Sequence, residues 1–241
     1  MRSIALILAG GKGRRMKLSI PKQFAVVDGM SVLQHTMLGF QQHELISAIY
    51  VVAASEWHET VRQQALEGKI DKFLGCATAG ETGYDSLVNG IRYLSEKESA
   101  ETLVMVHDSV RPLISQDIIS RNLAVAMSHG NAITCIESQE SYMVIDTDDN
   151  TKPGTPRHAT DIISRERLVR AQTPQTFSLQ EFQQMMHEAV EQHVKPAQSA
   201  FMLAQQLGHT PLYISQGETT NFKITHPQDL MLLEAILAQM Q

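Results

Sequence analysis

The chain has 241 residues, 43% hydrophobic and 19% charged, with a formal net charge of −6. That length can bury a substantial core as one domain, and the composition is that of an ordinary globular protein. The acidic balance argues against general binding to nucleic acid or to membrane surfaces. Ile4–Leu8 reads as a first buried strand. The single Arg before it and the glycine turn after it make this N-terminus too short for a membrane span and unlike a signal peptide, so the cytoplasm is the expected compartment. Further strand-length apolar runs follow at Ala48–Ala53, Phe73–Ala77, Leu103–His107 and Ala132–Ile136. Helix-period stretches at Val32–Gln41, His58–Leu66, Ser86–Leu94 and Gln116–Ser128 alternate with them. This alternation predicts an α/β fold with a doubly wound, mostly parallel sheet and right-handed crossovers. Ligands of such sheets sit beyond the carboxyl ends of the strands.

The rhythm breaks over residues 137–164. This segment is polar, holds Pro153, Gly154 and Pro156, and has β-prone pieces at Tyr142–Ile145 and Ile162–Ile163. A hairpin-like arm protruding from a single domain, 1–241, is the expectation, with a plain surface loop as the other reading. Helices near Leu179–Glu191 and Gln198–Leu207 come next, then a strand at Leu212–Ile214. A closing helix runs from Pro227 with Leu230, Leu233 and Leu237 on one face. Thr225 is its expected N-cap and Gln228 its capping-box partner. Cys76 and Cys135 lie far apart in apolar runs and read as buried structural thiols; no CxxC or HExxH pattern occurs.

The densest chemistry follows the first strand. Residues 6–23, LILAGGKGRRMKLSIPKQ, place Gly10, Gly11 and Gly13 with Lys12, Arg14, Arg15, Lys17 and Lys22, a quarter of the 20 Lys and Arg, in the first βα turn. Glycines let the backbone pass close to a ligand, and free N–H groups at a helix start favour anions, so the segment predicts a polyphosphate site. A Walker loop needs GxxxxGK[ST] and a dinucleotide fingerprint needs a glycine where Met16 stands; neither pattern is met. What remains is GGxGxRM followed by PKQ. Arg15 offers bidentate bonds to phosphate oxygens and Lys22 a point charge, and together they suit the charge of a phosphorus under attack.

HDSVRP at 107–112 ends the fourth strand. Asp108 there is a candidate for holding a hydroxyl group or Mg2+. Arg111 could pair with Asp108 or reach phosphate, and His107 reads as hydrogen-bonding scaffold. AGETGYDSLVNGI, 79–91, is a glycine turn into a helix that could wrap a base, with Ser86 toward ribose or phosphate. RAQTPQTF, 170–177, promises a polar extended turn around Thr173. NFKITHPQDL, 221–230, sets Lys223 in a strand-like piece as either a half-exposed cation or a phosphate ligand.

In this order the motifs GGKGRRM…PKQF, the turn before DSLVNGI, VHDSVRP, RAQTPQTF and NFKITHPQDL resemble the methylerythritol-phosphate cytidylyltransferase family, which includes a branch acting on ribitol 5-phosphate. The resemblance covers nearly the whole chain. It implies a Rossmann-like nucleotidyltransferase core and transfer of CMP from CTP to a polyol phosphate, with release of pyrophosphate and use of Mg2+. It also implies a homodimer built through the arm. By the same resemblance, Arg15 and Lys22 are catalytic. Leu8, Ala9, Gly10, Gly11, Gly80, Glu81, Tyr84, Ser86, Asp108 and Arg111 would bind CTP, with Asp108 also the metal candidate. Ser141, Arg165, Thr173 and Lys223 would bind the polyol phosphate, Arg165 from the partner's arm.

The chain also departs from the family pattern. The family usually has an arginine at Gly83. Its arm reads Asp-Thr where Glu140-Ser141 stands, often followed by a lysine where this chain has Met143, and the stretch from Ser141 to Arg165 is longer than usual. HDSVRP looks like the ribitol branch, whereas four residues between Met16 and Pro21 match the methylerythritol branch. The expected acceptor is 2-C-methyl-D-erythritol 4-phosphate, in isoprenoid precursor synthesis. The alternatives are ribitol 5-phosphate, a sugar-1-phosphate nucleotidyltransferase with another base, and a non-catalytic nucleotide-binding relative.

Overall fold

A computed structural model describes residues 1–11, 20–145 and 158–240. Lys12, Arg14, Arg15 and Lys17 of the basic loop lie outside the described residues.

The centre is a seven-stranded sheet of β1 (Ser3–Leu8), β4 (Ala48–Ala53), β5 (Phe73–Thr78), β6 (Leu103–Asp108), β7 (Ala132–Glu137), β10 (Val169–Ser178) and β11 (Ile214–Gln216). The spatial order is β11-β7-β10-β6-β1-β4-β5, and β10 alone runs against the rest. Residues alternate between the two faces. In β1, Ile4 and Leu6 pack into one core with α3 (Gly83–Ser95), α5 (Leu179–Glu191) and α6 (Ala200–Gln206). Ala5 and Ile7 pack into the other with α1 (Val32–Gln41), α2 (His58–Glu67) and α4 (Gln116–His129). Burial of both faces explains why these strands read as continuous apolar runs. The architecture is the expected Rossmann-like α/β arrangement.

Helix starts follow local chemistry. Ser31 and Gln34 close a capping box on α1, Thr82 and Asp85 another on α3, and Ser115 and Ser178 cap α4 and α5. α7 (Pro227–Met240) starts one residue later than its expected cap implied. Asp229 Oδ2 accepts from the backbone N–H of His226 at 2.8 Å and of Thr225 at 2.6 Å, in place of the Thr225–Gln228 pair. The expected leucine face does pack, with Leu233 buried beside Val27, Val32, Val110 and Ile224.

The sequence reading differs from the structure at four strands. RAQTPQTF is no turn but most of β10, a central strand. Pro174, which argues against a strand, sits where the register shifts between Ala171 and Gln175, so its missing N–H interrupts no regular ladder. A small hairpin, β2 (Val26–Val27) and β3 (Met30–Ser31), turns on Asp28 and Gly29, both at positive φ. The last strand falls at Ile214–Gln216. Cys135 is buried, whereas Cys76 on the edge strand β5 is only half-buried; burial pushes both thiols up to about 11. The arm takes the hairpin form, β8 (Tyr142–Ile145) against antiparallel β9 (Ala159–Ile163), and is exposed on both strands.

Candidate active site

The carboxyl ends of β1, β4, β5 and β6 form one rim. Backbone hydrogen bonds lace it together: Ala9 N to Val52 O at 2.7 Å, Ala79 N to Ala53 O at 2.8 Å and Ser109 N to Leu8 O at 3.1 Å. The glycine segment crosses this rim. A Cβ on Gly10 would stand 2.6 Å from Ala79 Cβ and 3.0 Å from Ser86 Oγ, so only glycine lets the two turns approach. Gln23, buried, ties the loop from below, donating through Nε2 to Ala9 O at 2.6 Å and Gly11 O at 3.0 Å. This explains why the glutamine of PKQ matters; the sequence reading quoted it without a role.

The second turn is equally close. A Cβ on Gly80 would fall 2.2 Å from Asp85 Cβ. Ser86 Oγ accepts from Gly80 N–H at 3.1 Å and donates to Thr82 O at 2.8 Å. The buried Ser86 hydroxyl therefore builds the turn that the sequence assigned to base and ribose. Glu81 is exposed at its crest, and Tyr84 packs against the core below. Gly83 opens α3 with nothing within 4 Å of an added Cβ, so lack of space does not explain the absence of an arginine there.

Asp108 is the hub of the charged cluster. Arg111 Nε donates to Oδ2 at 3.0 Å and Lys223 Nζ to Oδ1 at 3.1 Å. Burial pushes the Asp108 carboxyl up, but Lys223 and Arg111 together pull it down further, so it lies below the ordinary carboxylate range. Arg111 thus forms the pair with Asp108 that was one of the two roles open to it in the sequence. Its guanidinium also donates to Asn221 O at 2.7 Å and is mostly buried. Lys22 Nζ donates to Ile224 O at 2.6 Å, which brings the PKQ lysine to the strand-like piece that carries Lys223. Three of the five dispersed motifs therefore meet within one cluster.

Behind it lies a neutral chain of hydrogen bonds. Asp108 N–H donates to Thr173 Oγ1 at 3.1 Å, and Thr173 Oγ1 meets His107 Nδ1 at 3.0 Å. His107 Nε2 meets Arg111 O at 3.2 Å. His107 is fully buried, and burial pushes it down to about 4, so it is neutral scaffold as expected. Asn221, also fully buried, donates to Gln172 Oε1 at 3.2 Å and Thr173 O at 2.8 Å and fixes the Gln-Thr-Pro bend. Its role was hidden in the sequence because its partners are remote. Ser141 and Arg165 are not brought to this cluster; both lie exposed on the arm.

A divalent cation would find one carboxylate here, already engaged by two cations. Among the described residues no three His, Cys, Asp or Glu side chains form a metal-holding group. That donor set does not fit a protein-held Mg2+. It fits an ion carried on a bound polyphosphate, with water completing its shell.

Comparison with known proteins places this geometry. The family model described as IspD, 2-C-methyl-D-erythritol 4-phosphate cytidylyltransferase, matches residues 3–239. The chain is 34% identical over 235 residues to a 2-C-methyl-D-erythritol 4-phosphate cytidylyltransferase of Syntrophus aciditrophicus, covering 97% of this chain and 95% of that one. It is 30% identical over 237 residues to a ribitol-5-phosphate cytidylyltransferase of Lacticaseibacillus paracasei, covering 98% and 97%. The crystal structure of a 4-diphosphocytidyl-2C-methyl-D-erythritol synthase from Anaerococcus prevotii superposes with a TM-score of 0.80 at 21% identity, covering 98% and 96%, and shares the fold. With its described motifs gathered at one end of the sheet and residues 3–239 matched, the chain belongs to the IspD family and is a CTP-dependent cytidylyltransferase.

Proposed function

We propose that the enzyme transfers CMP from CTP to 2-C-methyl-D-erythritol 4-phosphate. The observation that carries this reading is the Asp108–Arg111–Lys223 cluster, with Lys22 beside it, next to the glycine segment. A phosphate oxygen of the acceptor attacks the α-phosphorus of CTP. A P–O bond forms there, the α–β bridging bond breaks, and pyrophosphate leaves. The attacking phosphate is already an anion, so no protein nucleophile is needed; alignment and charge neutralisation suffice. Arg15 and Lys22 are assigned to the reacting phosphorus, and Lys223, 43% exposed in its side chain, to the acceptor phosphate. Leu8 to Gly11 and the Gly80–Ser86 turn are assigned to CTP. A divalent cation bound with the triphosphate would supply further charge neutralisation there, with Asp108 the one carboxylate of the cluster that would meet it.

The Ser109-Val110 pair, which resembles the ribitol branch, is buried, with Val110 packed between α1 and α7. These side chains bear on packing rather than on the acceptor, which favours methylerythritol phosphate. Ribitol 5-phosphate is the second reading, favoured by the Lacticaseibacillus relative. A pyrophosphate-release assay with both acceptors side by side tests the choice: faster turnover with ribitol 5-phosphate overturns the first reading, and no turnover with either overturns both. Lys22→Ala and Arg15→Ala are each expected to lower kcat by about 10²-fold or more with the melting temperature unchanged.

The arm is proposed to pair with a second copy. A two-stranded ribbon is marginal alone, and Tyr142, Met143, Val144, Ile145, Ile162 and Ile163 are all exposed on it. Such pairing would carry Ser141 and Arg165 to the partner's site. No helix among the described residues is long and apolar enough to cross a membrane.

A further inference from the structure

Both cations that engage Asp108 depend on one short segment of chain. Lys223 belongs to it, and the Arg111 guanidinium donates to its Asn221 carbonyl oxygen at 2.7 Å. The segment follows β11, and residues 217–224 form no strand or helix of their own. What seats it comes from α4. Arg121 donates through Nε to Gln216 O at 3.1 Å and through Nη2 to Glu218 Oε1 at 2.6 Å, so one guanidinium grips the chain on both sides of Gly217. The same carboxylate oxygen accepts from Ser115 Oγ at 2.9 Å, at the start of α4. Gly217 is itself wedged, because a Cβ there would stand 2.5 Å from Gln172 Oε1 and 2.9 Å from Thr134 Cγ2.

With Glu218 placed, its carbonyl oxygen accepts from Gln172 Nε2 at 2.9 Å and from Asn221 N–H at 3.2 Å. Asn221, fully buried, then presents its own carbonyl to Arg111. The path runs from Arg121 through Glu218, Asn221 and Arg111 to Asp108, and each step is a hydrogen bond. Folding stability gives little reason for this clamp. Arg121 and Glu218 leave 38% and 32% of their side chains exposed, and an ion pair so open to water adds little to stability. Asn221 also buries its side-chain oxygen without a donor, which packing alone does not explain. We infer that Arg121 and Glu218 are positioning residues for the reaction, seating the segment so that Lys223 and Arg111 both reach Asp108 and Lys223 stands ready for the acceptor phosphate. This rests on the proposed assignment of Lys223 to that phosphate.

Two measurements on the full chain test it. The first is hydrogen exchange read by mass spectrometry, which needs no substrate. Arg121→Ala and Glu218→Ala are each expected to speed exchange over residues 218–224, with the melting temperature lowered by no more than about 3 °C. Unchanged exchange in that segment overturns the inference. The second is initial-rate kinetics with the preferred polyol phosphate. Each substitution should raise KM for the polyol phosphate on the order of tenfold and leave KM for CTP unchanged. Added to Lys223→Ala, Arg121→Ala should raise that KM far less than it does alone, because the clamp acts through the cluster. An unmoved KM, an equal rise for both substrates, or effects that simply multiply in the double variant each overturn the inference. If wild type turns over no polyol phosphate, the proposed function fails instead, and the exchange measurement still decides whether the clamp seats the segment.

Discussion

Close approach at Gly10 and open space at Gly83 set two opposite expectations at the residue scale. Gly10→Ala forces a methyl to 2.6 Å from Ala79 Cβ, and the two turns must part. We expect a loss of about 1–3 kcal/mol in chemical denaturation, with a raised KM for CTP. Gly83→Arg adds a side chain where nothing stands within 4 Å. The fold is expected to persist, and KM for CTP to fall severalfold as a cation is added beside the glycine turn; an unchanged KM would show that this position does not reach the nucleotide. His107 contributes a pH dependence of definite sign. Its folded value of about 4 lies below the ordinary 6.5, so the unfolded chain takes up the proton first. Stability therefore falls as pH drops from about 6.5 toward 4, by ~3 kcal/mol over the window. Urea titrations across that range should show this slope, flattened in His107→Asn.

At the scale of elements, α3 ties the turn proposed to bind nucleotide to helix capping. Thr82 accepts from Asp85 N–H at 3.1 Å while the Asp85 carboxylate takes Thr82 N–H at 3.1 Å, and the Gly80 turn is folded against that box. Thr82→Ala is expected to cost about 1 kcal/mol and to raise KM for CTP more than KM for the acceptor, as initial-rate kinetics would show. β10 is the element that the sequence concealed. Its polar residues are buried through side-chain bonds, such as Thr176 to Asn122 Oδ1 and Asn122 Nδ2 to Pro174 O, that no local pattern announces. α1 and α5, by contrast, have the boundaries that their periodicity implied, because that signal is local.

For the whole molecule, the arm and the site make one prediction together. If Arg165 serves the partner's site, a mixture of Lys22→Ala and Arg165→Ala subunits contains heterodimers with one intact site each. After exchange of subunits, about a quarter of wild-type activity is expected from two dead parents. Recovery near zero would place Arg165 in its own subunit's site. Ile162→Asp, on the exposed ribbon, should lower the mass measured by sedimentation without lowering the melting temperature of the monomer.

The sequence by itself determined the strand–helix alternation, the rim on which its motifs gather and the order of those motifs. Apolar periodicity, capping residues and glycine turns act over a few neighbouring residues and can be read along the chain. Tertiary structure alone decided that Arg111 pairs with Asp108, that Ser86 holds the turn around Gly80, and that His107 meets Thr173 across 66 residues of sequence. Those outcomes depend on which donor meets which acceptor after distant segments pack. A hydrogen bond's direction is set by all the partners around it, and the chain order of the residues does not contain them.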